Sequence, residues 1–327
     1  MSTEHPFDAL TPDTVVDAIE STGRVSDLRI FALNSYENRV YQVGIEGDTP
    51  LIVKFYRPGR WSDAAILEEH SFSRELLDAE LPVIAPLVDD HGQTLLNFAG
   101  FRFTLFPRIG GHVPELDHPE QLLSLGRILG RTHAIGASSA FAARPRVDIE
   151  SYAQASVELI EQHFIPADLK TPYVTLCESL LKRLRELYRP EQLSLIRCHG
   201  DLHPGNILCR DGALCLVDLD DCRSAPAMQD MWMLLSGDRH ERTAQLAEIV
   251  DGYEEFRDFP AGELCLIETL RTLRLMHYAA WLAARWHDPA FPKYFPWFNT
   301  PRYWSEHILE LREQLAALDE EPLRLYR

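Results

Sequence analysis

The chain has 327 residues, enough for about two domains and far more than a core needs to stabilise itself without disulfides. Its 32 Lys and Arg face 50 Asp and Glu, a formal charge of -18. A field of that sign repels nucleic-acid backbones and anionic membranes, so neither is expected as a partner, and a strongly anionic substrate would need a local basic site. Residues Met1–Asp8 show neither a basic n-region nor an apolar h-region, so no secretory signal is expected there. The most apolar long stretch, Leu264–Ala284, carries Glu268, Arg271 and Arg274 and does not read as a membrane span. None of the six cysteines stands in a C-x-x-C pair, and reduced, mostly buried thiols in the cytoplasm are expected.

Thr11-Pro12 opens a short helix that Gly23 closes. The texture then turns β-branched and aromatic. Leu28–Leu33, Asn38–Ile45 and Leu51–Tyr56 read as an antiparallel meander, joined by the polar turns Asn34–Glu37 and Gly47–Pro50. Ser62-Asp63 caps a helix carrying Ile66, Phe72, Leu76 and Leu77, which Leu81-Pro82 ends. Thr94–Leu96 and Phe101–Phe106 complete a five-stranded sheet, and Gly110-Gly111 marks a domain boundary. Residues 1–110 thus form a small β-rich lobe with one internal helix, and residues 111–327 a larger lobe.

In that larger lobe Leu122–Ile135, Asp148–His163, Pro172–Tyr188, Met228–Leu235, Gln245–Phe256, Leu264–Trp286 and Tyr303–Leu318 follow a 3.6 period. Strand character returns only in Leu193–Cys198, Asn206–Cys209 and Ala213–Val217. The expected class is α+β, a bilobal layout in a monomeric chain.

The densest polar signal is His199-Gly-Asp-Leu-His-Pro-Gly-Asn206, set between apolar strands; Asp218 ends the strand that follows it. A loop of the form H-x-D-x-x-x-x-N followed by a strand ending in Asp is the grammar of phosphoryl transfer. That chemistry needs a carboxylate to accept a hydroxyl proton and hard oxygens for a divalent cation. Asp201 is the candidate base, and Asn206 and Asp218 are candidate Mg²⁺ ligands. The bland alternative is a polar turn leading into a hairpin. Lys54 interrupts the third strand, where a phosphate-gripping lysine paired to a helix glutamate belongs. Glu69 shares the inward face of the next helix, with Glu68 the near alternative; by itself Lys54 could equally be a solvent-facing lysine.

Neither G-x-x-x-x-G-K-[ST] nor G-x-G-x-x-G occurs, so neither a P-loop nor a Rossmann nucleotide site is expected; the glycine-free turn at Ser35 is either a lid over phosphates, through its hydroxyl and backbone amides, or an ordinary hairpin. Asp220 and Asp221 are left either behind the metal ligands or facing substrate, and Asp230 is a candidate brace for the loop. Arg271, Arg274 and Arg285 are either a solvated face or a receiver for an anionic substrate. The aromatic run Phe291–Phe298 is packing or a substrate wall. His199 and His203 are spaced for zinc only in a helix, which Pro204 and Gly205 oppose. Gly200 and the single hydroxyl of 222–227, Ser224, leave no phosphate-ordered activation segment. A pseudokinase is disfavoured because Lys54, Asp201, Asn206 and Asp218 are all present.

These residues resemble the aminoglycoside phosphotransferase/choline kinase-like superfamily. Leu33–Gln42, Val53–Pro58, Leu67–His70, His199–Asp201, Gly205–Leu208, Val217–Asp221 and Asp288–Lys293 more closely resemble the bacterial stress response kinase A family. The resemblance implies a bilobal protein-kinase-like fold and an ATP- and Mg²⁺-dependent serine/threonine protein kinase of the stress response. It also implies Asp201 as proton acceptor, Asn206 and Asp218 as magnesium ligands, and Ser35 and Tyr36 in the ATP site. The alternative is a kinase acting on a small aminoglycoside-, choline- or homoserine-like hydroxyl.

Overall fold

The computed structural model describes residues 6–325, so the first five residues of the expected signal-free N-terminus lie outside the described part. Two compact units emerge, and no single cut separates them: one comprises residues 1–115, 141–144 and 204–222, the other 116–140, 145–203 and 223–327.

In the first unit, α1 (Pro12–Glu20) starts at Thr11, whose hydroxyl accepts the Thr14 N–H. Strands β1 (Ser26–Ala32), β2 (Arg39–Ile45) and β3 (Leu51–Phe55) form the meander. The helix α2 (Asp63–Asp78) follows, capped by the Ser62 hydroxyl on the Ala65 N–H, then β4 (Leu96–Phe98) and β5 (Phe101–Pro107). The antiparallel order is β1-β2-β3-β5-β4. The fourth strand lies two residues beyond its expected start. Alternation along β3 sends Leu51, Val53 and Phe55 into a core with Val15, Ala18 and Ile19 of α1. Lys54, in register with Val40 and Thr104, therefore points to the opposite face. There the buried stripe of α2 holds Glu69 and His70 among Ile66, Phe72 and Leu76.

The chain continues into the second unit with α3 (Pro119–Gly136), a π-turn at Glu150–Gln154, α4 (Ala155–His163), α5 (Ala167–Leu187) and β6 (Ile196–Cys198). It then returns to the first unit for the hairpin β7 (Ile207–Arg210) and β8 (Ala213–Leu216). That hairpin is tied to its unit by bridges from His112 to Cys209 and from Val83 to Leu216.

The remaining elements belong to the second unit. Strand β9 (Arg223–Ala225) pairs with β6 and was not foreseen, because three residues are too few to show a period. Helices α6 (Arg239–Tyr253), α7 (Ile267–Ala284), α8 (Ala290–Tyr294) and α9 (Pro301–Ala317) follow. The expected helix Met228–Leu235 is instead two 3-10 turns, Ala227–Asp230 and Trp232–Leu234. Local polar bonds take its place: Glu263 accepts the Met228 N–H at 3.0 Å, and the Gln229 side chain donates to the Gly200 carbonyl at 2.8 Å. Helices α3 and α6 pack with almost no side chain between them. A Cβ on Gly126 would stand 2.0 Å from the Ile249 carbonyl oxygen, and one on Gly252 2.1 Å from that of Leu123.

Candidate active site

In the first unit Lys54 is buried, with three carboxylates around its ammonium. Nζ lies 2.8 Å from Asp220 Oδ1, 3.3 Å from Asp218 Oδ1 and 3.4 Å from Glu69 Oε1. It also sits 5.1 Å from the centre of the Tyr56 ring. Burial alone would lower the lysine pKa; Asp220, Glu69 and Asp218 outweigh it and hold the ammonium well above its ordinary value. The solvent-facing alternative for Lys54 is thereby excluded.

The glutamate pairing is also resolved. Glu69 faces Lys54, while Glu68 accepts the backbone N–H groups of Ala142, Ala143 and Arg144 at 2.7–2.9 Å. Burial raises the Glu69 carboxyl even though Lys54 and Arg144 act the other way. Asp220 goes in the opposite direction: burial would raise it, but Lys54 and Arg60 bring it down to about 2. His70, bonded to the Tyr56 hydroxyl at 2.7 Å and to Thr94 Oγ1 at 2.8 Å, is pushed to about 3 by burial and then by Lys54 and Arg144.

Asp218 stands apart from the other two carboxylates. Its side chain is 56% exposed, and its backbone lies in the left-handed region at φ 60°, ψ 63°, where a non-glycine residue costs ~1–3 kcal/mol. The turn 219–221 follows it, and the Val217 N–H just before it donates to the Asn206 carbonyl at 3.0 Å. That bond makes Asn206 and the Asp218 strand end neighbours. Both offer oxygen donors of the kind a small divalent cation takes, so the donor set fits Mg²⁺.

The glycine-free turn is stiffened by arginine. Arg57 donates to the carbonyls of Tyr36 (3.3 Å) and Glu37 (2.9 Å), and its own N–H meets Asn38 Oδ1 at 3.1 Å. The Ser35 hydroxyl donates to the Asn38 carbonyl at 3.2 Å. Ser35 and Tyr36 are half-buried.

In the second unit Asp201 Oδ1 lies 2.6 Å from Arg274 Nη1, and His203 Nε2 is 3.8 Å from Oδ2. Arg274 thus meets the candidate base. The backbone of the loop is braced by buried Asp230, which accepts the His199 N–H at 2.7 Å and the Gly200 N–H at 2.8 Å. His133 adds a bond at 3.2 Å and is itself 3.1 Å from the Tyr253 hydroxyl. Burial would raise the Asp230 carboxyl; His133 and the amides keep it low. His133, Cys198 and Asp230 place possible ligand atoms within 4.8 Å of one another. Asp230 already uses its oxygens on the loop, and burial pushes the Cys198 thiol well up, so this group braces rather than binds metal.

Asp220, Arg60 and Arg144 escaped sequence reasoning as parts of this network. Arg60 pairs with Asp220 and, at 2.8 Å, with Asp221. The Asp218-x-Asp220 spacing hinted at Asp220, but nothing local marks either arginine.

Comparison with known proteins agrees with this geometry. The family model described as "Phosphotransferase enzyme family" matches residues 29–265. Stress response kinase A of Escherichia coli strain K12 is 46% identical over 320 residues, covering 98% of this chain and 97% of that protein. The Salmonella typhimurium protein named serine/threonine protein kinase RdoA is 44% identical over the same length. Among solved structures, amicoumacin kinase hAmiN in complex with AMP-PNP, Ca²⁺ and Ami aligns with a TM-score of 0.69 at 20% identity, over 92% of this chain and 91% of that one. Spectinomycin phosphotransferase with ADP and spectinomycin gives a TM-score of 0.65 at 16% identity, over 94% and 98%. These two show a shared fold. No helix among the described residues is long and apolar enough to cross a membrane. The chain belongs to the phosphotransferase enzyme family, within the stress response kinase A group, and is an ATP-dependent kinase.

Proposed function

We propose that the protein transfers the γ-phosphoryl group of Mg²⁺-bound ATP to serine or threonine hydroxyls of protein acceptors in the cytoplasm. The observation that carries the phosphoryl-transfer reading is the buried Lys54 ammonium, held between Glu69, Asp218 and Asp220. A buried cation anchored on one side by carboxylates presents a fixed positive charge to phosphate oxygens. The protein acceptor is supported by the name of the Salmonella typhimurium relative, serine/threonine protein kinase RdoA.

In this reading Lys54, oriented by Glu69, grips the nucleotide phosphates, and Ser35 and Tyr36 lie over them. Asn206 and Asp218 hold Mg²⁺, which when bound neutralises charge on the phosphate oxygens. Asp201, held at Oδ1 by Arg274, accepts the proton of the attacking hydroxyl. Reduced thiols at buried Cys177, Cys198, Cys209 and Cys222 suit a cytoplasmic chain.

The test is γ-labelled ATP with Mg²⁺ and the purified protein, offered protein acceptors and, separately, a panel of hydroxyl metabolites. Label appearing as phosphoserine or phosphothreonine is expected. Transfer to aminoglycoside-, choline- or homoserine-like hydroxyls alone overturns the protein acceptor and leaves the phosphoryl chemistry standing.

A further inference from the structure

Residues 141–144 pack with the first unit although both their flanks belong to the second. Every residue of this short strap is docked on α2. Phe141 meets Phe72 edge-on at 5.6 Å between ring centres. The next three backbone N–H groups converge on the Glu68 carboxylate. The Arg144 side chain then enters the protein and is fully buried.

Its guanidinium serves three acceptors on two elements. Nε donates to the Ala65 carbonyl of α2 at 2.7 Å, Nη2 to Glu69 Oε2 at 2.8 Å, and Nη1 to the Asp220 carbonyl at 2.6 Å. The Trp61 ring closes over the group at 4.5 Å. We propose that Arg144 is a positioning residue that sets Glu69, and through it Lys54, at a fixed distance from the turn bearing Asp218 and Asp220.

The geometry explains why one residue does this. Glu69 has two oxygens, and with Oε2 on Arg144 only Oε1 is left for Lys54. The Asp220 carbonyl on the same planar fork fixes the turn whose Oδ1 lies 2.8 Å from Lys54. A guanidinium holds its donors in a rigid plane, so α2 and the turn cannot separate without breaking one of the bonds. Adjacent glutamates divide the work: Glu68 anchors the strap's backbone, and Glu69 receives its side chain. A kinase without a phosphate-ordered segment needs its lysine–glutamate pair held by something always present, and the strap is covalently part of the chain. This inference rests on Lys54 being the phosphate grip.

The experiment compares Arg144→Met, Arg144→Lys, Arg144→Ala, Glu68→Ala, Glu69→Gln and Lys54→Met for ATP KM, kcat and melting temperature, assayed well below every melting point. For folded Arg144→Met, kcat/KM for ATP should fall by about 10- to 100-fold, largely through KM, since a displacement of about 1 Å at a reacting group costs on that order. Arg144→Lys should resemble it despite keeping the charge, because an ammonium cannot span three planar acceptors. Millimolar guanidinium should restore part of the activity of Arg144→Ala. Combining Arg144→Met with Glu69→Gln should cost little more than the worse single change, since both act on one pair. Folded Arg144→Met or Arg144→Lys with wild-type kinetics overturns the proposal, and so do multiplying effects in the double variant. If Arg144→Met does not fold, Glu68→Ala decides: an unchanged ATP KM overturns the proposal, and a raised one supports it. If Lys54→Met keeps full activity, the phosphate-grip reading itself fails.

Discussion

Replacing Lys54 by Met tests the site and the fold at once. The substitution keeps the stem's volume and removes a cation that three carboxylates face. Breaking a buried ion pair costs ~3–5 kcal/mol. The lower end applies here, because each buried partner keeps an arginine: Glu69 keeps Arg144 and Asp220 keeps Arg60, while Asp218 reaches solvent. About 3 kcal/mol corresponds to a fall of roughly 10 °C in melting temperature for a unit of this size. The defect should also depend on pH. Without the ammonium, the Glu69 carboxyl rises further above its unfolded value. A carboxyl raised in the folded state withdraws stability as pH climbs past the unfolded value of about 4.3. The gap between variant and wild type should therefore widen from pH 5 to pH 8. In parallel, kcat/KM for ATP should fall by about 10²–10³-fold, the loss expected when one preorganised phosphate contact is removed. Thermal melts at both pH values and a coupled ADP-release assay measure the two effects. A variant that melts within about 1 °C of wild type refutes the stability reasoning; wild-type kinetics refute the phosphate role.

Asp201→Asn should keep nucleotide affinity and lose transfer by ~10²–10⁴-fold, since an amide accepts no proton; ATP titration measures the first quantity and single-turnover transfer the second. Asp218→Ala should weaken nucleotide binding only when Mg²⁺ is present, and titrations matching wild type with and without the ion refute a metal role. His70 is held near pKa 3 in the fold against about 6.5 unfolded, so its folded value is depressed. The stability it gives is complete above pH 6.5 and is lost as pH falls toward 3, by up to ~5 kcal/mol. Urea unfolding at pH 7.5 and 5 should show that slope, and His70→Gln should flatten it, with the residue from His307, which burial lowers to about 4. Phosphatase-treated protein, shown free of phosphate by mass, should retain full activity; loss that ATP pre-incubation reverses refutes this.

The elements legible in the sequence are those whose periodicity spans several turns or a full strand. The meander, α2 and the long helices of the second unit declared themselves through spacing of apolar residues and through caps such as Thr11 and Ser62. Elements set by long-range polar bonds did not. The stretch Met228–Leu235 has helical spacing, yet Asp230 is pulled onto the His199 and Gly200 amides and Glu263 takes the Met228 N–H, which breaks the ladder into 3-10 turns. Strand β9 exists because it is held on both sides: it pairs with β6, Ser224 standing in register with Arg197, while the Ser224 N–H donates to the Pro145 carbonyl and its carbonyl accepts the Val147 N–H. No local pattern in three residues could announce that.

The candidate site divides the same way. Lys54, Asp201, Asn206 and Asp218 are legible because phosphoryl transfer demands those residue types at those spacings. The groups that fix them in place are not, because a supporting residue is defined by what it reaches and not by what it is. Arg144 bonds Glu69 across 75 positions of sequence, and Arg60 reaches Asp221 across 161. Asp220 illustrates the boundary: two residues after Asp218 it reads as a second acidic group near metal, yet it is buried, closest of the three to Lys54 and paired with Arg60. Held at about pKa 2, it stays charged throughout the working range and keeps the lysine protonated. That leaves Asp218, exposed and conformationally strained, as the carboxylate on this face with freedom to meet a cation.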